Sequence, residues 1–221
     1  MSRADHTTEG RAGSLSLVAG DLALNFANTE SGRGSDRHLN HLKSATDVLT
    51  WARHAKVIKA AEAEQGFRLV KEQKQLADDF FRRAISLRQT VFDINSSIVN
   101  GTRLREDNLK ALADHYCETL SRAKLKPHKE RYDWSWNCKE ELAAAVLGPI
   151  AQAALNLLTN RDPSRIKQCG GGHHCGWLFF DTSRNNSRCW CDMRVCGNRS
   201  KAKAIRARRR ELNGSDMRSA P

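Results

Sequence analysis

Five of the seven cysteines in this 221-residue chain, Cys169, Cys175, Cys189, Cys191 and Cys196, fall within 28 residues of one another. Little around them can build a core: from 165 to 200 the apolar side chains are Ile166, Trp177, Leu178, Phe179, Phe180, Trp190, Met193 and Val195. So short a segment seldom folds on burial alone and needs a disulfide or a metal as a staple. The cysteine count is odd, and the opening MSRADHTTEG is polar, without the apolar run of a secretory leader. Both features predict a reducing cytoplasm, where clustered thiols bind metal more readily than they pair.

Zn2+ is the expected ion, because two thiolate pairs brought together by a hairpin give closed tetrahedral coordination. Such a structural site contributes about 10–16 kcal/mol in finger peptides. Cys169 and Cys175 flank the glycine-rich turn Gly170-Gly171-Gly172-His173-His174, and Cys191 with Cys196 forms a second knuckle, so these four are the predicted ligands. Cys189 and Cys191 alternate in direction if that stretch is extended, which leaves one of them spare. His173, His174 and Cys189 remain the substitute ligands. Cys117 and Cys138 have no local partner and are expected as small buried apolar residues.

Upstream, the spacing is helical. Residues 15–30 are broken by Gly20, Asn25, Asn28 and Thr29 and predict an extended, turn-rich entry. A helix follows from about Ser44 to Val57, and the 4,3,4,3,4 spacing of Phe80, Ala84, Leu87, Val91, Ile94 and Ile98 predicts one long helix from about 65 to 99. Leu104–Leu120 repeats the pattern, with Glu106 and Asp107 at its N-terminal end. Ala123/Leu125 and Tyr132/Trp134/Trp136 alternate around Pro127, His128 and Lys129 as in a hairpin with one buried face. Residues 138–160 return to helical spacing with a kink expected at Gly148-Pro149. The apolar stretch Leu142–Leu158 is interrupted by polar residues and reads as a buried helix, with no membrane partner.

The fold class is therefore mainly α (α+β): a helical N-terminal domain with a small β-hairpin over 15–160, then a zinc-ribbon-like finger and a basic C-terminal helix over 165–210. From 161 to 221 there are 14 basic and five acidic residues, a net +9 of the chain's +12. Seven cations and no acid occur between Arg199 and Arg210: Arg199, Lys201, Lys203, Arg206, Arg208, Arg209 and Arg210. On a helix, Arg199, Lys203, Arg206 and Arg210 share one face, suited to a phosphate backbone, while Ala202, Ile205 and their neighbours form a thin apolar seam expected to dock on the finger. Arg184, Asn185, Asn186, Arg188 and Asn198 are candidates for reading base edges. The competing reading of Asn198 is a left-handed turn or cap after Gly197. For the basic run it is a solvated tail, and for Trp177, Phe179, Phe180 and Trp190 it is a small core rather than stacking on bases.

Cys169, the run Cys175 to Arg184, Trp190-Cys191, and Cys196-Gly197-Asn198-Arg199 followed by Lys201 resemble the bacterial CGNR zinc-finger family. In that family the finger follows an ABATE domain, and Gly20-Asp21-Leu22-Ala23-Leu24-Asn25-Phe26-Ala27-Asn28-Thr29 is similar to the ABATE opening motif. Three departures stand out: five residues separate the first cysteine pair where the family has four, Cys189 stands where arginine is usual, and Asn25 where Asp is usual. The resemblance implies a stress-induced transcription regulator. Together with the charge, it predicts a non-enzymatic nucleic-acid binder, on DNA rather than RNA, with a helical body that senses a small-molecule effector or forms a homodimer. RNA binding and a protein-interaction module are the alternatives. A zinc enzyme is disfavoured, since the chain has neither HExxH nor HxE followed by PCxxC.

Overall fold

The structure is a computed structural model describing residues 11–172 and 175–216, except for the side chains of 209–216. A short 3-10 turn, Arg11–Ser14, leads to α1, Leu22–Ala27. The entry predicted as extended therefore contains a helix. Asp21 makes it possible by accepting the Ala23 N–H at 2.8 Å, and Leu24, Phe26 and Ala27 bury its inner faces. Two-residue strands β1 (Glu30–Ser31) and β2 (Leu39–Asn40) pair antiparallel. In α2, Ala45–His54, the Ser44 hydroxyl accepts from Asp47 N at 3.2 Å.

The single long helix expected next is two, α3 (Ala60–Glu72) and α4 (Lys74–Asn100), separated by Gln73 at φ −122°, ψ 87°. Packing explains the break. Gly66 of α3 sits so close to α2 that a Cβ there would fall 2.9 Å from a Leu49 methyl, whereas Phe80, Ala84, Leu87, Val91 and Ile94 of α4 are buried in the central core. One straight rod cannot serve both surfaces. Gly101 ends α4 in the left-handed conformation, φ 61°.

After α5 (Glu106–Leu120), strands β3 (Lys124–His128) and β4 (Arg131–Ser135) form the expected hairpin, with Leu125 opposite Trp134 and Pro127 opposite Tyr132. Its apolar face is not buried: Leu125 is 56% exposed and Tyr132 72%. The residue after β4, Trp136, anchors the hairpin, donating its indole N–H to the Thr119 carbonyl at 2.7 Å and lying on Gly148, where a Cβ would come within 2.6 Å of the ring. In α6, Leu142–Thr159, the helix runs on through Pro149, and Val146, Leu147, Ile150 and Leu157 are fully buried or nearly so. This helix is long and apolar enough to cross a membrane by composition alone, yet most of it lies inside the core.

The last segment is welded to the helices. Strands β5 (Ile166–Gln168) and β6 (Leu178–Phe180) pair antiparallel, and Ile166, Leu178 and Phe179 share one buried cluster with Ala19, Leu24 and Leu157. Across this joint Asn28, only 3% exposed, donates to the Leu178 carbonyl at 2.8 Å and accepts the Leu178 N–H at 2.9 Å. Gly20 (φ 73°) lets the chain pass so close that a Cβ would sit 3.1 Å from the Phe180 carbonyl. Asn25 accepts the Ala19 N–H at 3.0 Å, and Arg161 bridges Asp21 and the face of Phe180. The Gly20–Thr29 segment, built around α1, is thus the part of the body that receives the finger.

Asn28→Ala leaves a buried N–H and a buried C=O without partners, a loss of about 3 kcal/mol at 1–3 kcal/mol per group. Urea unfolding of the variant checks this through a lowered midpoint at unchanged slope.

Candidate metal centre

Cys169 follows β5 and Cys175 precedes β6, so the hairpin brings the first pair together. Cys191 precedes, and Cys196 lies within, a single π-helical turn, Met193–Gly197, started by Asp192, whose carboxylate accepts the Arg194 N–H at 2.8 Å. All four are buried, and their sulfurs lie within 4.8 Å of one another, with Cys191 Sγ 3.5 Å from both Cys175 Sγ and Cys196 Sγ. Zinc–thiolate bonds of about 2.3 Å imply sulfurs about 3.8 Å apart in a tetrahedron. The donor set fits zinc in number, chemistry and spacing.

The electrostatics point the same way. The Cys169 thiolate is favoured because the Cys175 and Cys191 thiols donate to it, and those two are in turn pushed up, first by that hydrogen bonding and then by burial. Burial and the Cys169 charge raise Cys196 as well. Four buried sulfurs ionise together only around a cation. A zinc ion held by these four would supply a structural crosslink with no open coordination position.

Backbone and side-chain partners brace the sulfurs. The Cys191 N–H lies 3.3 Å from Cys169 Sγ, and Gly171 is packed so that a Cβ would meet the Cys175 Cβ at 3.2 Å. Gly197 lies beneath the Met193 thioether and the Trp190 ring, the latter 3.2 Å from where a Cβ would sit. Asp181, fully buried, accepts from Lys167 Nζ at 2.7 Å and from the N–H groups of Ser183 and Arg188 at 2.8 Å each. Burial opposes its ionisation, but these donors outweigh it and hold the carboxyl well below its usual range.

A family model described as "Putative stress-induced transcription regulator", ABATE, matches residues 20–161, and one described as "CGNR zinc finger" matches residues 165–209. The chain belongs to the ABATE family. No curated protein matches it.

In this ABATE protein the predicted sites divide into those brought together and those put to other use. The four cysteines converge; Cys189 is exposed, its thiol directed to the Ser187 carbonyl. His173 and His174 lie outside the described residues. Arg188, a candidate for reading bases, is committed elsewhere: its guanidinium donates to the carbonyls of Trp190, Val18 and Cys191 and lies over the Phe179 ring. Arg184 is exposed. Asn198 caps the π-helical turn, in line with its competing reading, but with right-handed helical angles rather than a left-handed turn, and its amide donates to the Arg194 carbonyl at 3.0 Å. Phe179 and Phe180 are buried in the small core. Cys138 is buried and its thiol is pushed up to about 11 by burial, whereas Cys117, expected buried, is exposed because α5 turns that position outward. The pairing of Asp181 with Lys167 has no signal in the sequence: Asp181 lies inside the run Cys175 to Arg184 that carries the resemblance, but the two residues make no recognisable spacing.

From Asn198 the chain enters α7, Asn198–Asp216, with no intervening loop after the turn that holds Cys196. Every residue from Lys201 to Arg208 is exposed, Ile205 by 56%, so among the described side chains the apolar seam expected to dock on the finger does not; the side chain of Leu212, its last member, lies outside them. The few small side chains described offer too little area to hold the helix down. The side chains of Arg209 and Arg210 lie outside the described residues.

Metal analysis is expected to give one zinc per chain, lost in Cys169→Ser and Cys191→Ser and retained in Cys189→Ser. Asp181→Asn removes the charge facing Lys167, which keeps the Asn186 and Arg188 carbonyls as acceptors, and is expected to cost about 3 kcal/mol, measured by chemical unfolding. Because folding lowers the Asp181 pKa, its contribution is complete above the ordinary value of 3.8 and disappears as pH falls through the folded value. The gap between parent and Asn variant therefore narrows only below about pH 4.

Proposed function

We propose that this chain is a zinc-stapled, non-enzymatic DNA-binding regulator acting in the cytoplasm, in which the ABATE body carries the finger and α7 meets the phosphate backbone. One observation carries the reading. The helix continues directly from the metal-ligand turn, and among the described residues Arg199, Lys201, Lys203, Arg206 and Arg208 have no carboxylate partner. A cationic rod fixed at one end by a metal site is oriented before it meets its target, which lowers the entropy lost on binding. Arg184, exposed beside the finger, and Arg199 supply planar guanidinium groups of the kind that bridge guanine edges. Duplex DNA is favoured over single-stranded RNA because Phe179 and Phe180 are spent on the core and offer no stacking platform.

Fluorescence anisotropy on a 30-base-pair duplex tests this. Four phosphate contacts from Arg199, Lys203, Arg206 and Arg210 predict a log–log salt slope of about −3.6, and Lys203→Gln with Arg206→Gln should flatten it by about 1.8. Association that survives removal of residues 200–221 would sink the proposal, and a preference for single-stranded RNA would reassign it.

A further inference from the structure

Between the helical body and the finger lies a cavity of about 560 Å³. Its walls come from both parts: Arg11, Leu15 and Val18 from the entry segment, Arg37, His38, Leu39 and His41 from the β1–β2 region, and Trp177, Cys191, Val195 and Arg199 from the finger. The volume is that of a small-molecule site.

Its chemistry is one-sided. The guanidinium groups of Arg11, Arg37 and Arg199 have no carboxylate partner among the described residues. Two acids also line the space. Asp192 is occupied by the Arg194 N–H and guanidinium, at 2.8 and 3.8 Å, and Asp36 is exposed. His38 is turned to Glu30 at 2.7 Å. The Trp177 indole N–H is buried without an acceptor, a donor in want of one. Burial and the charges of Arg11, Arg88 and Lys43 hold the His41 pKa below 6.5, as expected where the potential is positive. Leu15, Val18, Leu39 and Val195 add an apolar wall.

We propose that this cavity binds a small organic anion with an apolar body, such as an aromatic or medium-chain carboxylate, and that the ligand regulates the nucleic-acid contact of α7. The regulatory half rests on the function proposed above. Its physical basis is shared use: Arg199 belongs both to the cavity wall and to the first turn of α7, and Cys191 and Cys196 border the same space. A carboxylate that engages Arg199 withdraws it from phosphate, so each ligand weakens the other by the same factor.

Calorimetric titration of the zinc-loaded full chain with benzoate and octanoate, against neutral benzamide and inorganic phosphate, tests the site. The carboxylates are expected to bind one per chain and at least tenfold more tightly than benzamide. Phosphate binding as well as octanoate would show that the apolar wall contributes nothing and overturn the proposed ligand class. Arg11→Gln with Arg37→Gln should weaken octanoate at least tenfold, while Arg103→Gln, a charge removed on the far connection before α5, should not. Absent binding, or equal binding of benzamide, overturns the site. In parallel, saturating octanoate should weaken duplex association at least threefold, and no change overturns the regulation. Salt-sensitive DNA binding without anion binding sinks only the cavity; anion binding without DNA association sinks only the function proposed for α7.

Discussion

Four thiols confined within 4.8 Å of one another cannot all ionise unless a cation sits among them, and the chain past residue 165 is arranged around that constraint. The three-residue strands β5 and β6 are too short to hold a register by themselves. Cys169 and Cys175 tie the ends of the loop between them, and Cys191 and Cys196, the latter inside the π-helical turn that follows β6, complete the sulfur cluster. Structural zinc binding is folding free energy in such a segment.

The second constraint is the joint to the helices. Asn28 completes the backbone pairing of Leu178 as another strand would, and Arg188 ties three carbonyls, one of them Val18 of the entry segment. Asp181 and Lys167 neutralise each other beneath this surface. Finger and body consequently share apolar mass, with Leu24 and Leu157 on one side and Leu178 and Phe179 on the other. The metal site is positioned by the whole domain, and α7 inherits that position.

Much of this was legible in the sequence wherever one physical rule acts locally. The apolar face from Phe80 to Ile94 repeats because burial on a helix imposes its period, and the four cysteines stand out because coordination demands pairs at short range. Long-range partners left no such mark. Arg188 looks like any basic residue near a nucleic-acid candidate, and only the fold shows its donors consumed by distant carbonyls. The alternation of Leu125, Tyr132 and Trp134 is the same whether a hairpin face is covered or bare, so pattern gave the strands but not their exposure. The break at Gln73 has no proline or glycine to announce it; the competing surfaces offered by Leu49 and the central core impose it.

The two-way bond between Asn28 and Leu178 also bears on how such a finger travels through evolution. Fingers strung like beads can be shuffled between chains, since each carries its own interior. This one does not: cut from its body, it would present Leu178 and Phe179 bare to water, with an amide and a carbonyl unanswered. A transplanted finger would therefore have to bring the segment around Asn28 along with it to keep that interior covered.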